Sequence, residues 1–247
     1  TGDESHAKCA VNILNAWASA INDTVKGQLF QLPIDIMVQT AEVVRIYSGW
    51  SDNDKEKFKQ CCLKYFYPAC KNFLGYCGSW PGWDGPANSC NEIIGIFCDN
   101  DSIYQNAIDY YKNGDKTTGL GGGRLTNMVF DKSGASIEMG RDMPHAEIGP
   151  SAAAEFCLTA LNQGTDLFSL DDNLLLRSFE FLMKDNLTHQ CDWTSYNDCD
   201  NHNLFDVSPR YAFRLTGFPG CEIIYNHYVN KMGLQAPYTE QAIKLRG

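Results

Sequence analysis

Eleven cysteines in a 247-residue chain constrain the fold more than any other feature. They are Cys9, Cys61, Cys62, Cys70, Cys77, Cys90, Cys98, Cys157, Cys191, Cys199 and Cys221. Thiols at this density are hard to keep reduced and harmless in the cytosol, so they point to an oxidising compartment and a disulfide-stapled fold. The odd count leaves at least one sulfur unpaired within a monomer. Three sequons, Asn22-Asp23-Thr24, Asn100-Asp101-Ser102 and Asn186-Leu187-Thr188, agree with a secreted, extracellular glycoprotein. The first residue is Thr1 rather than Met, which is what a processed secreted chain would show.

Charge and hydropathy narrow the partners. The net charge is −10, opposite to the clustered Lys and Arg that nucleic acid requires. The most apolar runs, such as Ile93–Cys98, are far too short to cross a membrane. Hydrophobic residues at 44% and charged residues at 20% describe a chain that buries an ordinary core. No linker divides it, so the expectation is one domain over residues 1–247, with neither nucleic acid nor membrane as a partner.

The periodicity is helical. Ala10, Ile13, Leu14, Trp17 and Ile21 share one spacing, and Met37, Val38, Ala41, Val44 and Arg45 share another. Ser51-Asp52-Asn53-Asp54 offers N-cap chemistry before a helix over Lys55–Phe73. Gly78–Pro86 reads as a break rich in Gly, Pro and Trp. Helices follow at Asn88–Cys98 and Ser102–Lys112. Gly114–Gly134 reads as a flexible loop, because its Gly121-Gly122-Gly123 lacks the Lys-Ser/Thr of a phosphate loop. Further helices are predicted over about 147–163, 171–186 and 222–231. Strand alternation is scarce, so the fold class is all-α.

Three segments carry a family resemblance. The central one is Glu138-Met139-Gly140-Arg141-Asp142-Met143-Pro144-His145, followed by Asn162-Gln163-Gly164-Thr165-Asp166-Leu167-Phe168. The second is Tyr225-Asn226-His227-Tyr228. The third comprises Ile13–Trp17, Ala41–Arg45 and Gly49-Trp50-Ser51. Together they resemble the alginate-lyase-domain family of polysaccharide lyases. That resemblance implies an incomplete (α/α) toroid of antiparallel helix pairs around a groove. It also implies an anionic, uronic-acid polysaccharide as substrate and β-elimination as the reaction. The chain departs from the family pattern at Gly82, where an Asn is usual, at Phe218, where an Arg is usual, and at Met143-Pro144, where Gln-Gly is usual.

The resemblance also implies the chemistry and the residues that would carry it. A uronate lyase removes the C5 proton, protonates the departing 4-linked oxygen, and neutralises the C6 carboxylate. His145 is the candidate base, Tyr225 the group near the leaving oxygen, and Arg141 the carboxylate clamp. Glu138, Asn226 and Tyr228 are candidate substrate contacts, and Trp80 and Trp83 candidate stacking platforms. Pro144 belongs in the first turn of the helix that carries His145. No cofactor is called for, and no metal: Cys191 and Cys199, flanked by His189 and His202, read as a disulfide rather than a zinc site. The Asp192–Asp206 loop matches no EF-hand. The alternative function is a catalytically degenerate carbohydrate-binding protein on the same scaffold.

Overall fold

A computed structural model describes residues 2–23, 25, 30–75, 80–140, 143–188, 190 and 219–246. Among these residues the regular structure is helical, and an isolated antiparallel bridge joins Val129 to Ser136. No helix among them is long and apolar enough to cross a membrane. The chain divides into two compact units, one of residues 1–74 and 87–108 and the other of residues 75–86 and 109–247. Arg141, the Cys191–Cys199 pair, the His189/His202 and Asp192–Asp206 alternatives, Cys77 and Phe218 lie outside the described residues.

The first unit contains α1 (Glu4–Ala20), α2 (Gln31–Val43) and α3 (Asp52–Cys61). Ser51 caps α3 by accepting the Asp54 N–H on its hydroxyl (3.2 Å), as the sequence predicts. The helix then passes through a π-helical turn, Cys62–Phe66, into α4 (Tyr67–Lys71). Its core holds Trp50, Phe58, Phe66 and Phe97, with Phe58 meeting Phe97 edge-on at 5.6 Å. The α1 stripe differs from its prediction. Val11 and Leu14 are buried, whereas Ile13 and Trp17 are about half exposed, at 51% and 49%. Period alone locates a face, and the partners decide how wide the buried part is.

Helix α5 (Pro81–Phe97) corrects the predicted break at Gly78–Pro86. Pro81 suits the first helical position, but Pro86 inside the helix removes the ladder bond to the Gly82 carbonyl. The turn is held from outside instead, through Gly82 and Asp84, as described below. In the first unit α5 buries Glu92 to 1% exposure. Burial, reinforced by the nearby Asp35, pushes its carboxyl well above the usual range. The unfolded chain therefore gives up this proton first, and stability falls as pH rises from about 4.5 towards the raised folded value. Glu92→Gln should flatten that pH dependence and stabilise the protein near neutrality. The gain is about 1.4 kcal/mol for each pH unit by which burial lifts the glutamate. Urea denaturation across pH measures it, and an unchanged slope in the variant would refute the assignment.

In the second unit α6 (Asp101–Asn113) ends and α7 (Leu125–Met128), α8 (Met143–Asn162), α9 (Leu170–Thr188), α10 (Gly220–Ile224) and α11 (Pro237–Arg246) follow. Helix α8 packs on α9 and α10, and α9 on α11. Residues Asp171, Asp172 and Asn173 in α9 are left-handed, with φ of 49°, 56° and 59°. Asp and Asn tolerate this region better than other L-residues. Arg177 secures the turn through the carbonyls of Asp171 (3.0 Å), Asp172 and Lys132 (3.0 Å).

Two expectations about modification change here. Asn186 is 2% exposed and its amide donates to Glu147 Oε1 (3.3 Å), so this sequon has no room for a glycan in the folded chain. None of the described cysteines forms a disulfide in this structure. Cys157 donates to the Tyr111 hydroxyl (3.3 Å), and Cys221 touches the Met183 sulfur (3.6 Å).

Candidate functional site

The start of α5 anchors the candidate site. Trp80 precedes the helix, and its carbonyl accepts the N–H groups of Trp83 and Asp84, each at 2.9 Å. Both Trp80 and Trp83 are half-buried. Between them Gly82 donates its N–H to Glu138 Oε2 at 2.7 Å. Glu138 sits in a 3-10 turn, Ile137–Gly140, and is 1% exposed. Two segments more than fifty residues apart in sequence are thus tied by a short hydrogen bond in the interior.

That bond also fills the space where a side chain at position 82 would begin. A Cβ there would lie 3.1 Å from Glu138 Oε2 and 3.5 Å from Ile148 Cβ. A Cβ there requires the glutamate to give by a few tenths of an ångström.

One turn on, Asp84 is fully buried. Its Oδ2 accepts the Tyr110 hydroxyl at 2.5 Å and the Gly123 N–H at 2.7 Å, and its Oδ1 the Gly75 N–H at 3.4 Å. Burial, and then the Asp84 charge, push the Tyr110 hydroxyl far above its ordinary value, so it stays a donor. Gly121 has φ +109° and lies against the Tyr110 ring and hydroxyl, where no Cβ fits. The predicted flexible loop is therefore fastened at its glycines. Asn127 adds two bonds, to the carbonyls of Gly119 (2.8 Å) and Gly121 (3.0 Å).

His145 occupies the first turn of α8, half-buried, with Pro144 just before it as predicted. The last candidate segment forms a π-helical turn, Tyr225–Lys231, that continues α10. Tyr225 is half-buried and within electrostatic reach of Lys244 on α11. Asn226 is exposed. Tyr228 is not a surface contact. It is fully buried, and its hydroxyl donates to the Phe168 carbonyl at 2.6 Å. Its edge meets Phe168 at 5.6 Å, so it is a core residue, placed there by the tertiary fold.

His227 belongs to the Tyr225–Tyr228 segment, and the sequence gives it no role. Its ring stacks on Phe168 with centroids 3.8 Å apart. Burial holds its pKa below the usual value, Asp166 opposes that shift, and Lys231 adds to it. Its Nδ1 is buried without a hydrogen-bond partner among the described residues. The signal available in the sequence was its place between two tyrosine-bearing positions on a predicted helix.

A cleft of about 320 Å³ opens in the first unit, lined by Arg45, Asp52, Lys55, Glu56, Lys59, Phe97 and Asp99. Arg45 and Lys59 both close on Asp99 at 2.6 Å. Its cations are matched by as many carboxylates, which does not suit it to a polyanion.

No protein-family model, curated protein or solved structure matches the chain.

Proposed function

We propose that the chain is a secreted polysaccharide lyase that cleaves a uronic-acid polysaccharide by β-elimination. Its scaffold on this reading is an incomplete (α/α) toroid of antiparallel helix pairs, stapled by disulfides. The observation that carries the reading is the Gly82 N–H to Glu138 Oε2 bond, which joins the Trp80–Asp84 segment to the stretch leading into His145. In the reaction His145 takes the C5 proton, the C4–O bond breaks as the C4=C5 bond forms, and Tyr225 delivers a proton to the departing oxygen. Arg141 holds the C6 carboxylate as charge builds on it. Trp80 and Trp83 present ring faces to sugars, and Asn226 an exposed amide. Tyr228 supports this set from the core.

A second reading has its own observation. Position 82 holds Gly beside Glu138, so the carboxylate-neutralising amide usual at this place in the family is absent. This favours a protein on the same scaffold that binds polyuronates without cutting them. The two separate in one assay. The full chain is incubated with alginate, glucuronan, pectate and glycosaminoglycans, and the ultraviolet absorbance of the unsaturated uronate is followed. Absorbance with one of them supports the lyase. Binding with no absorbance on any of them removes the lyase reading and supports the second.

A further inference from the structure

Two pairs of thiols, three of the four sulfurs buried and Cys98 half-buried, lie across one helix–helix seam in the first unit. Cys62 neighbours Cys98, and Cys90 neighbours Cys70, while the Cys90 thiol donates to the Gln31 carbonyl at 3.0 Å. Cys62 and Cys70 belong to the helix that runs from α3 through the π-turn into α4. Cys90 lies within α5 and Cys98 just past its end. The positions form a register. Cys62 to Cys70 is eight residues forward, and Cys98 to Cys90 is eight residues back. Two rungs of an antiparallel helix pair have this pattern, spaced ~12 Å along the axis at 1.5 Å per residue.

Other contacts between the two helices fix the same register. Phe58, one turn before Cys62, meets Phe97, the neighbour of Cys98, at 5.6 Å. Lys59 reaches Asp99 at 2.6 Å, and Cys98 Sγ lies 3.9 Å from the Lys59 carbonyl. Cys62, Cys70 and Cys90 are buried in a single apolar cluster, with Cys98 packed against it.

We propose that Cys62–Cys98 and Cys70–Cys90 are two disulfides of the oxidised protein, forming a double staple between the α3–α4 helix and α5. The inference stands whether or not the chain cuts a polysaccharide. The chemistry is thiol–disulfide exchange with a low-molecular-weight disulfide, RSSR, as oxidant. The Cys98 thiolate attacks one sulfur of RSSR, the oxidant's S–S bond breaks, and one RSH leaves after protonation. The Cys62 sulfur, losing its proton, then attacks Cys98 Sγ in the mixed disulfide and expels the second RSH. Two protein thiols are oxidised by two electrons, and one RSSR is reduced to two RSH.

Cys98 suits the first role because it is half-buried while Cys62 is fully buried. The neighbouring Cys62 thiol, with Lys59 and Arg45 assisting against burial and Asp99, also holds its thiol below the ordinary value. Cys70 and Cys90 are both fully buried, so their bond closes during folding and is sealed afterwards.

The test uses the full chain, refolded with oxidised and reduced glutathione. It is alkylated in denaturant without reduction, digested, and mapped by mass spectrometry. The expected result is cross-linked peptides joining Cys62 to Cys98 and Cys70 to Cys90, with fragmentation separating Cys62 from Cys61. Alkylation of all four residues overturns the proposal, as does a Cys61–Cys98 or Cys62–Cys70 link. Brief exposure of the native protein to a phosphine reductant should open Cys62–Cys98 at least about ten times faster than Cys70–Cys90, because access governs exchange. Opening of Cys70–Cys90 first would overturn the arrangement. In both experiments Cys62→Ser should abolish the Cys98 link, and Cys61→Ser should leave it intact.

Discussion

Replacing His145 by alanine is expected to lower the rate of uronate elimination by about 100-fold or more, the usual loss when a general base is removed. On the lyase reading the imidazole is the group that takes the C5 proton, and no methyl group can substitute for it. His145 is only half-buried at the start of α8, so its removal should leave the unfolding transition nearly where it was. Tyr225→Phe should give a comparable loss, since phenylalanine keeps the ring but cannot pass a proton to the leaving oxygen. The pair of measurements is informative because the folded state serves as its own control. Undiminished turnover in both variants would remove these residues from the mechanism. A large fall in stability with unchanged turnover would mark His145 as structural. His227→Gln is the natural companion. If His227, and not His145, is the base, the large rate loss will appear in that variant instead.

Asp84→Ala should destabilise the second unit by about 3–5 kcal/mol. The aspartate accepts the Tyr110 hydroxyl and the Gly123 N–H at 2.5 and 2.7 Å, and the Gly75 N–H at 3.4 Å. Alanine leaves the two short bonds without an acceptor in the interior, each orphaned donor costing about 1–3 kcal/mol. Asp84→Asn is the discriminating control. Both short bonds fall on Oδ2, so an amide carbonyl can take that position and accept both. The long bond to Gly75 is lost, along with the charge. Chemical denaturation should therefore place the asparagine variant between wild type and alanine. A loss below about 1 kcal/mol for alanine would show that Asp84 does not hold this region together. On the proposed function, Asp84→Ala should also weaken polyuronate binding, because the same turn carries Gly82 against Glu138.

Local chemistry accounts for what the sequence by itself determined. Ser51 caps α3 because its hydroxyl reaches an N–H three residues on. Pro144 falls in the first turn of α8 because proline lacks only a donor that this turn would leave unused. The all-α class follows from apolar spacing summed along many segments. The segments around Trp83, Glu138 and His145 stand out in the sequence as candidates through a family resemblance.

Other features depended on partners that a local reading does not see. Helix α5 continues through Pro86 because Glu138, Tyr110 and Gly123 hold its first turns, and these lie far away in sequence. The glycine-rich loop is fastened by a carboxylate that the sequence marks only as part of a helix-breaking run. Tyr228 and Asn186 carry the same side chains they would at a surface, yet each is buried with a hydrogen-bond partner, Phe168 and Glu147 respectively. Trp17 is the reverse case, a large apolar residue on the predicted stripe that remains half exposed. Periodicity states that a helix has an apolar face. Whether a given side chain on that face meets protein or water is set by long-range packing, and only the tertiary structure decides it.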